Sequence, residues 1–127
     1  MTALFTARFS YAQDDGTVRM IGLADHQYET KRYVLLQQTV HPSEQDRHLG
    51  LDKIHITVND QAHATYAALE QAVLNCNSLT LRVPTAAAHA LGTPQDILID
   101  LAPDFPGLER VAESLRVMLR GAFSDQR

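Results

Sequence analysis

The sequence predicts an α+β domain with a mostly antiparallel sheet, a short helix near residues 85–91 and a C-terminal amphipathic helix packed on the sheet. Before residue 104, apolar and polar residues alternate in many short segments, which is the period of strands. The longest run with helical spacing comes last. Strands and helices do not alternate regularly, so the pattern excludes a parallel doubly wound sheet.

The chain opens with a predicted hairpin. Residues 3–11 and residues 18–24 both show strand-like alternation. Between them, residues 14–17 read Asp-Asp-Gly-Thr, a turn sequence in which Gly16 is free to take a positive φ. The two segments therefore form the first antiparallel pair.

The middle of the chain carries two further strands. Residues 33–40 are a nearly continuous apolar run, which is typical of a strand with both faces partly covered. Residues 54–58 alternate most clearly of all. Between these strands, the segment from Ser43 to Gly50 is either a short helical turn, with Ser43 as its cap and Gly50 as its end, or an ordered loop.

Residues 66–74 fit both a helix and a strand by period. The following turn sequence, Asn-Cys-Asn-Ser at residues 75–78, leads into clear alternation over residues 79–83. A hairpin explains both sides of this turn, so we predict a strand over residues 69–74.

Two helices are predicted in the last third. The first is alanine-rich, covers residues 85–91, and is expected to be capped by Thr85 and stopped at Gly92. A strand over residues 97–101 separates it from the second helix.

The second helix is expected to run from about residue 105 to 123, because its apolar residues keep helical spacing. Asp104 is placed to cap it. Residues 124–127 are expected to fray.

Length, composition and charge limit the number of domains, the cellular location and the kinds of partner that we expect. At 127 residues and 45% hydrophobic, the chain suffices for one domain over residues 1–127. Its single cysteine, Cys76, excludes an intramolecular disulfide and suits a reducing compartment. The N-terminus lacks the apolar core of a signal peptide, and no apolar run is long enough to span a bilayer, so we expect a cytoplasmic protein. A net charge of -4 argues against nucleic-acid or anionic-membrane binding and is compatible with a basic protein partner.

Catalytic and metal-binding motifs are missing from the sequence. Four histidines follow one another at spacings of seven, seven and eight residues, which match no compact metal-ligand motif: His41, His48, His55 and His63. There is no nucleophile elbow, phosphate-binding loop or dinucleotide fingerprint. We therefore predict no catalytic residues, no metal site and no cofactor.

Several short segments occur in an order and at intervals that resemble a known family. They are Tyr33-Val34-Leu35-Leu36-Gln37, Glu44-Gln45-Asp46, Leu49-Gly50 followed by Asp52, Val58-Asn59-Asp60-Gln61, and Tyr66. Together they resemble the immunity protein 10 family of bacterial polymorphic toxin systems, from about residue 4 to 101. In one departure, Ala67 and Ala68 stand where members of the family often carry two glycines after the tyrosine.

The resemblance implies an immunity protein that binds a cognate toxin, encoded by a neighbouring gene, and blocks it by occlusion without catalysis. A toxin site that handles a polyanion tends to be basic, so carboxylates on loops would speed encounter and occupy that site. The candidate toxin-binding residues are Glu44, Asp46, Asp52, Asp60 and Gln61, with Tyr66 as an aromatic anchor.

Two other interpretations stay open. One is a small-molecule or metal-binding domain that uses the histidine-bearing strands around His55 and His63. The other is a homodimer or larger scaffold formed through the edge strands of an open sheet. An adjacent toxin-like reading frame would favour the immunity function, whereas a metabolic operon would favour the small-molecule alternative.

Overall fold

Strands and helices account for most of the chain. The computed structural model describes residues 2–50 and 53–127, and at residue 61 the backbone alone. The strands are β1 (Thr6–Ala7), β2 (Phe9–Asp14), β3 (Val18–Ala24), β4 (Tyr33–Thr39), β5 (Ile54–Val58), β6 (Asp60–Ala67), β7 (Gln71–Leu74), β8 (Ser78–Arg82), β9 (Asp96–Leu101) and β10 (Phe123–Asp125). The helices are α1 (Glu44–His48), α2 (Thr85–Leu91) and α3 (Leu108–Leu119).

The strands form two five-stranded sheets. Sheet 1 has the order β1-β9-β8-β7-β10, and sheet 2 is a meander in the order β2-β3-β4-β5-β6. All neighbours in sheet 2 are antiparallel, and in sheet 1 only the short outer strands β1 and β10 pair in parallel. The predicted α+β class with mostly antiparallel strands is confirmed.

The predicted first strand, residues 3–11, is divided between the two sheets. β1 pairs with β9 in sheet 1, whereas β2 begins at Phe9 and pairs with β3 in sheet 2. Between them, the Arg8 N–H donates to the Ala24 carbonyl at 2.9 Å. Alternation continues through the break, so the sequence period gives no sign that the strand changes sheets.

One core joins both sheets and the two longer helices. Ile21, Leu36 and Ile56 of sheet 2 are each at most 1% exposed, and they lie side by side on neighbouring strands. They belong to the same buried cluster as Leu81 of sheet 1 and Leu115 of α3. The α3 helix contacts β2 and β3 of one sheet and β7 and β10 of the other, so it is packed on the sheets as predicted.

Helix starts differ from the predicted caps. Pro84, not Thr85, precedes α2, and Thr85 is the first residue of the helix. No side chain makes a capping hydrogen bond at this end. The α3 helix begins at Leu108 rather than near residue 105, and Gly107 (φ 75°) precedes it in place of Asp104. Positive φ at this glycine breaks the helical path, so the preceding residues cannot extend the helix. Gly92 ends α2 as predicted, at φ 69°.

The C-terminus is a strand, where the sequence predicted a longer helix followed by fraying. The α3 helix ends at Leu119, Arg120 takes φ 51°, and residues 120–122 form a 3-10 turn. β10 then pairs in parallel with β7. The Arg127 guanidinium binds the carboxylates of Asp125 and Glu109, which ties the last residues to α3.

The other local predictions agree with the structure. Gly16 has φ 84° in the first hairpin turn, and the segment of residues 69–74 contains β7 in a hairpin with β8. Of the two interpretations of residues 43–50, the helical one holds, with Gly50 at φ 77° after α1. In the described ranges, no helix is long and apolar enough to cross a bilayer.

Candidate binding face

The sequence-predicted acidic residues lie at opposite ends of sheet 2. Glu44 and Asp46 belong to α1, which connects the end of β4 to the start of β5. Asp60 lies beyond the other end of β5. Five strand residues, about 17 Å at about 3.4 Å per residue, separate the two positions. The structure therefore does not bring them together, Asp52 falls outside the described residues, and the side chain of Gln61 is not described.

The Asp46 carboxylate holds the first turn of α1. It accepts a hydrogen bond from the Ser43 N–H at 3.0 Å, while the Ser43 hydroxyl accepts one from the Asp46 N–H at 3.0 Å. This reciprocal capping box satisfies two N–H groups that an isolated helix end leaves unpaired. Asp46 thus has a structural role beside Ser43, the cap that the sequence predicted.

The Asp60 carboxylate holds the turn between β5 and β6. Its Oδ1 accepts hydrogen bonds from the Ala62 N–H at 2.9 Å and the His63 N–H at 3.2 Å, and lies 2.9 Å from the His63 ring nitrogen Nδ1. The hydrogen bond with the His63 side chain is the main reason that the pKa of Asp60 is lowered. Asn59, at φ 67°, completes the turn by accepting from the Tyr33 N–H at 3.0 Å.

The outer side of sheet 2 carries a different kind of surface. Side chains alternate across a sheet, so the neighbours of the core row Ile21, Leu36 and Ile56 point away from the core. Residues that pair across neighbouring strands form three rows on this side. The first row is Phe9, Ala24 and Tyr33; the second is Tyr11, Gly22, Leu35, Thr57 and Ala64; the third is Gln13, Met20, Gln37, His55 and Tyr66. We call these thirteen positions the tyrosine face; none of them carries Asp, Glu, Lys or Arg. Two of them, Ala24 and Thr57, are buried beneath their neighbours on the face, and the others are at least partly exposed.

Tyrosines are concentrated here. Of the four tyrosines in the chain, Tyr11, Tyr33 and Tyr66 lie on the tyrosine face. The fourth, Tyr28, is in the loop between β3 and β4 at one end of the face. Tyr11 is 43% exposed, Tyr66 44% and Tyr28 78%, which leaves substantial aromatic surface in contact with solvent. Exposed aromatics around an uncharged centre are typical of protein interfaces.

A groove of about 250 Å³ lies on the part of the tyrosine face that β2, β3 and β4 form. Phe9, Tyr11, Tyr33 and Leu35 line it together with residues of the β3–β4 loop. Gly22 contributes no side chain to its floor: a Cβ there would lie 3.6 Å from the Tyr11 Cβ and 3.7 Å from the Leu35 Cδ1. A water molecule occupies about 30 Å³ in the liquid, so the groove has room for a partner side chain.

A second depression, of about 290 Å³, lies at the other end of the tyrosine face. It is more polar and is lined by Gln37, Lys53, His55 and Tyr66 among others. The His55 and Tyr66 rings meet edge to face there, with centroids 4.8 Å apart. Among the predicted site residues whose side chains the structure describes, Tyr66 is the one that lies on the tyrosine face.

The histidine-bearing strands do not form a joint site. His55 lies on the outer face of β5, in register with Tyr66. His63 lies on β6 at a position that alternates with the outward-facing Ala64 and Tyr66, so its side chain is on the other side of the sheet. Its ring lies next to Gly92 at the end of α2: a Cβ placed on Gly92 would be 3.4 Å from the His63 Cδ2. Over residues 2–50 and 53–127, no group of three or more His, Cys, Asp or Glu side chains could hold a metal ion. These positions give the metal-binding alternative no support.

Residues 6–107 match the sequence model of a family described as Immunity protein 10. The chain belongs to the immunity protein 10 family. The match contains every strand of sheet 2, and hence the whole tyrosine face, but it ends before α3. Comparison with curated proteins and with solved structures gives no match. The family resemblance predicted from the sequence segments is confirmed.

The tyrosine face was not predicted, although most of its residues lie on predicted strands; Gln13, Ala64 and Tyr66 do not. In β4 both parities are apolar: Val34 and Leu36 face the core, while Tyr33 and Leu35 face outwards. When both alternate sets of residues are apolar, the sequence does not show which set faces the core and which faces outwards. The available signal was the lack of charge at alternate positions of β2, β3 and β4, combined with a tyrosine in β2 and another in β4.

Proposed function

We propose that this protein is an immunity protein that binds a cognate toxin and neutralises it by stoichiometric occlusion. The observation that carries the proposal is the family match over residues 6–107. An immunity protein must recognise one harmful partner, and binding of this kind needs an exposed complementary surface rather than a catalytic constellation. The tyrosine face supplies such a surface.

The proposal includes how the chain is organised. We infer that residues 1–127 act as one domain, because residues of both sheets and of α2 and α3 share one buried cluster. We propose that the protein acts without enzymatic turnover and without a cofactor. The single exposed cysteine, Cys76, fits a reducing cytoplasm, which we propose as its location.

The partner is proposed to be the toxin encoded by a neighbouring gene. The sequence-based contact residues remain candidates: Glu44, Asp46, Asp52, Asp60, Gln61 and Tyr66. The structure bears on them differently, because Asp46 and Asp60 hold local turns while Glu44 and Tyr66 are exposed. Were Glu44 at the rim of the interface, its charge would act mainly on the association rate, as expected of a solvated residue.

Co-expression tests the proposal. The toxin-like reading frame beside this gene is placed under an inducible promoter, with and without this chain, and viable counts are compared. We expect toxicity alone and restored growth with the chain, together with a complex that survives gel filtration. Toxicity that persists despite full expression of the folded chain would contradict the proposal. A destabilised variant, Leu115→Asp, is the matched control, because it places an unpaired charge in the core.

A further inference from the structure

We propose that the tyrosine face is the surface on which the toxin docks, and that the toxin meets it with an uncharged, apolar projection. This inference rests on the proposed immunity function. It differs from the sequence-based hypothesis of an acidic surface facing a basic toxin site. The chemistry of the thirteen face positions decides between the two.

Charge complementarity defines the partner surface. A Lys or Arg of the toxin buried against the centre of this face would lose its hydration without meeting a carboxylate, which strongly disfavours such a contact. Amides and hydroxyls at Gln13, Gln37 and the tyrosines can accept and donate hydrogen bonds, whereas they cannot neutralise a buried charge. The matching toxin surface is therefore apolar, with neutral polar groups.

The groove is the centre of the proposed contact with the toxin. Tyr11, Tyr33 and Leu35 form its walls, and Gly22 leaves its floor open. Hot spots of interfaces are enriched in tyrosine and lie in pockets that exclude water. A single apolar side chain of the toxin inserted here would contact three large side chains, so the groove is the place for the anchor residue of the partner.

The dimensions of the face fit the core of one interface. Five strands at about 4.8 Å spacing are about 19 Å across, and the three rows extend about 14 Å along the strands. The resulting area of about 270 Å² is smaller than the roughly 800 Å² that each partner buries in a standard interface. The contact must therefore extend beyond the face, and the β3–β4 loop borders it: Gln27 and Thr30 line the same groove, and Tyr28 is 78% exposed.

Two variants test the face while sparing the fold. Gly22→Thr fills the groove floor, and its Cβ meets neighbours only at ordinary contact distance, so the strand accepts it. Tyr11→Ala combined with Tyr28→Ala removes exposed aromatic surface. The controls are Leu49→Ala and Val117→Ala, which truncate side chains that are 59% and 42% exposed outside the face. Glu44→Lys tests the acidic hypothesis.

The readout is the Kd for the immobilised toxin domain from the adjacent reading frame. We expect Gly22→Thr and the double tyrosine variant each to raise the Kd at least about tenfold, with both controls and Glu44→Lys within about twofold. Thermal unfolding and gel filtration of every variant verify the fold.

Each other result overturns the inference in a distinguishable way. If the folded face variants bind as well as wild type and still rescue growth, the docking face lies elsewhere and the immunity function stands. If wild type is a dimer that these variants convert to monomers without a change in Kd, a second copy occupies the face. If wild type itself does not bind, the proposed function fails together with this inference.

Discussion

His55 and Tyr66 face each other across β5 and β6, with ring centroids 4.8 Å apart and planes inclined by 61°. This edge-to-face contact orients Tyr66 on the outermost strand of sheet 2, where the residue stays 44% exposed. A pre-oriented aromatic side chain loses little conformational freedom on binding. The pair thus stabilises the edge strand and prepares one side of the tyrosine face for contact.

Removing the aromatic pair should weaken the sheet slightly. We expect Tyr66→Leu to lower the free energy of unfolding by about 0.5–1 kcal/mol, because a cross-strand aromatic contact is lost while apolar area is partly kept. Tyr66→Phe should be nearly neutral. Urea denaturation of the single and double variants with His55→Ala gives the coupling energy, and a value of zero would contradict the contact.

Thr57 is predicted to be a stabilising site for mutation. Its side chain is fully buried, and its hydroxyl has no hydrogen-bond partner among the described residues. Thr57→Val replaces this hydroxyl by a methyl group of similar shape, and should raise the free energy of unfolding by about 1 kcal/mol. Thr57→Ala is the control, since it removes the hydroxyl but leaves a cavity and should destabilise. Loss of stability in Thr57→Val would show that the hydroxyl is satisfied.

The capping box of α1 should be detectable by hydrogen exchange. Ser43→Ala removes the acceptor of the Asp46 N–H, at a cost of about 1 kcal/mol, so amides of α1 should exchange about fivefold faster. Glu44→Ala, in the same turn, keeps both capping bonds and should leave exchange nearly unchanged. Equal protection in wild type and Ser43→Ala would mean that the box does not hold the helix in solution.

The C-terminal strand should contribute to acid sensitivity. Hydrogen bonds from the Arg127 side chain are the main cause that lowers the pKa of Asp125 to about 2. A lowered pKa means that the stabilisation is present above about pH 4 and is lost as the pH falls towards 2. We expect Asp125→Asn to be less stable than wild type at pH 7, with the difference shrinking between pH 4 and pH 2.

Urea midpoints at several pH values measure this difference. Asp104→Asn is the matched control, because its carboxylate makes no capping bond to α3. A gap between Asp125→Asn and wild type that stays constant from pH 5 to pH 2 would contradict the role of the Asp125 charge.

The sequence predicts a strand or helix well where the spacing of apolar residues within that segment is enough to determine it. The strands β3, β4 and β5 and the helix α2 follow from residue spacing and from turn residues such as Gly16 and Gly92. β6 has no predicted bounds, because its Ala, Thr and His residues give a weak apolar pattern at a sheet edge. β10 is a three-residue strand whose formation depends on parallel pairing with β7, a contact about fifty positions away that no local pattern reports.

The candidate site was only partly predictable for a related physical reason. Acidic residues in loops are visible in sequence, yet Asp46 and Asp60 use their carboxylates to hold their own turns. The uncharged face appears only when five strands are placed in register, because its rows combine residues such as Tyr11, Leu35 and Ala64 from distant segments. Tyr66 was predicted through the family resemblance and not through the sheet.

The most direct test of stoichiometric occlusion is a titration of the activity of the purified toxin domain with this protein at concentrations well above their Kd. We predict that activity falls linearly and reaches its minimum at one molecule of this protein per toxin, and that the toxin regains activity when the complex is separated. Full inactivation by a small fraction of an equivalent, or inactivation that persists after separation, would indicate catalytic modification of the toxin and would contradict neutralisation by binding.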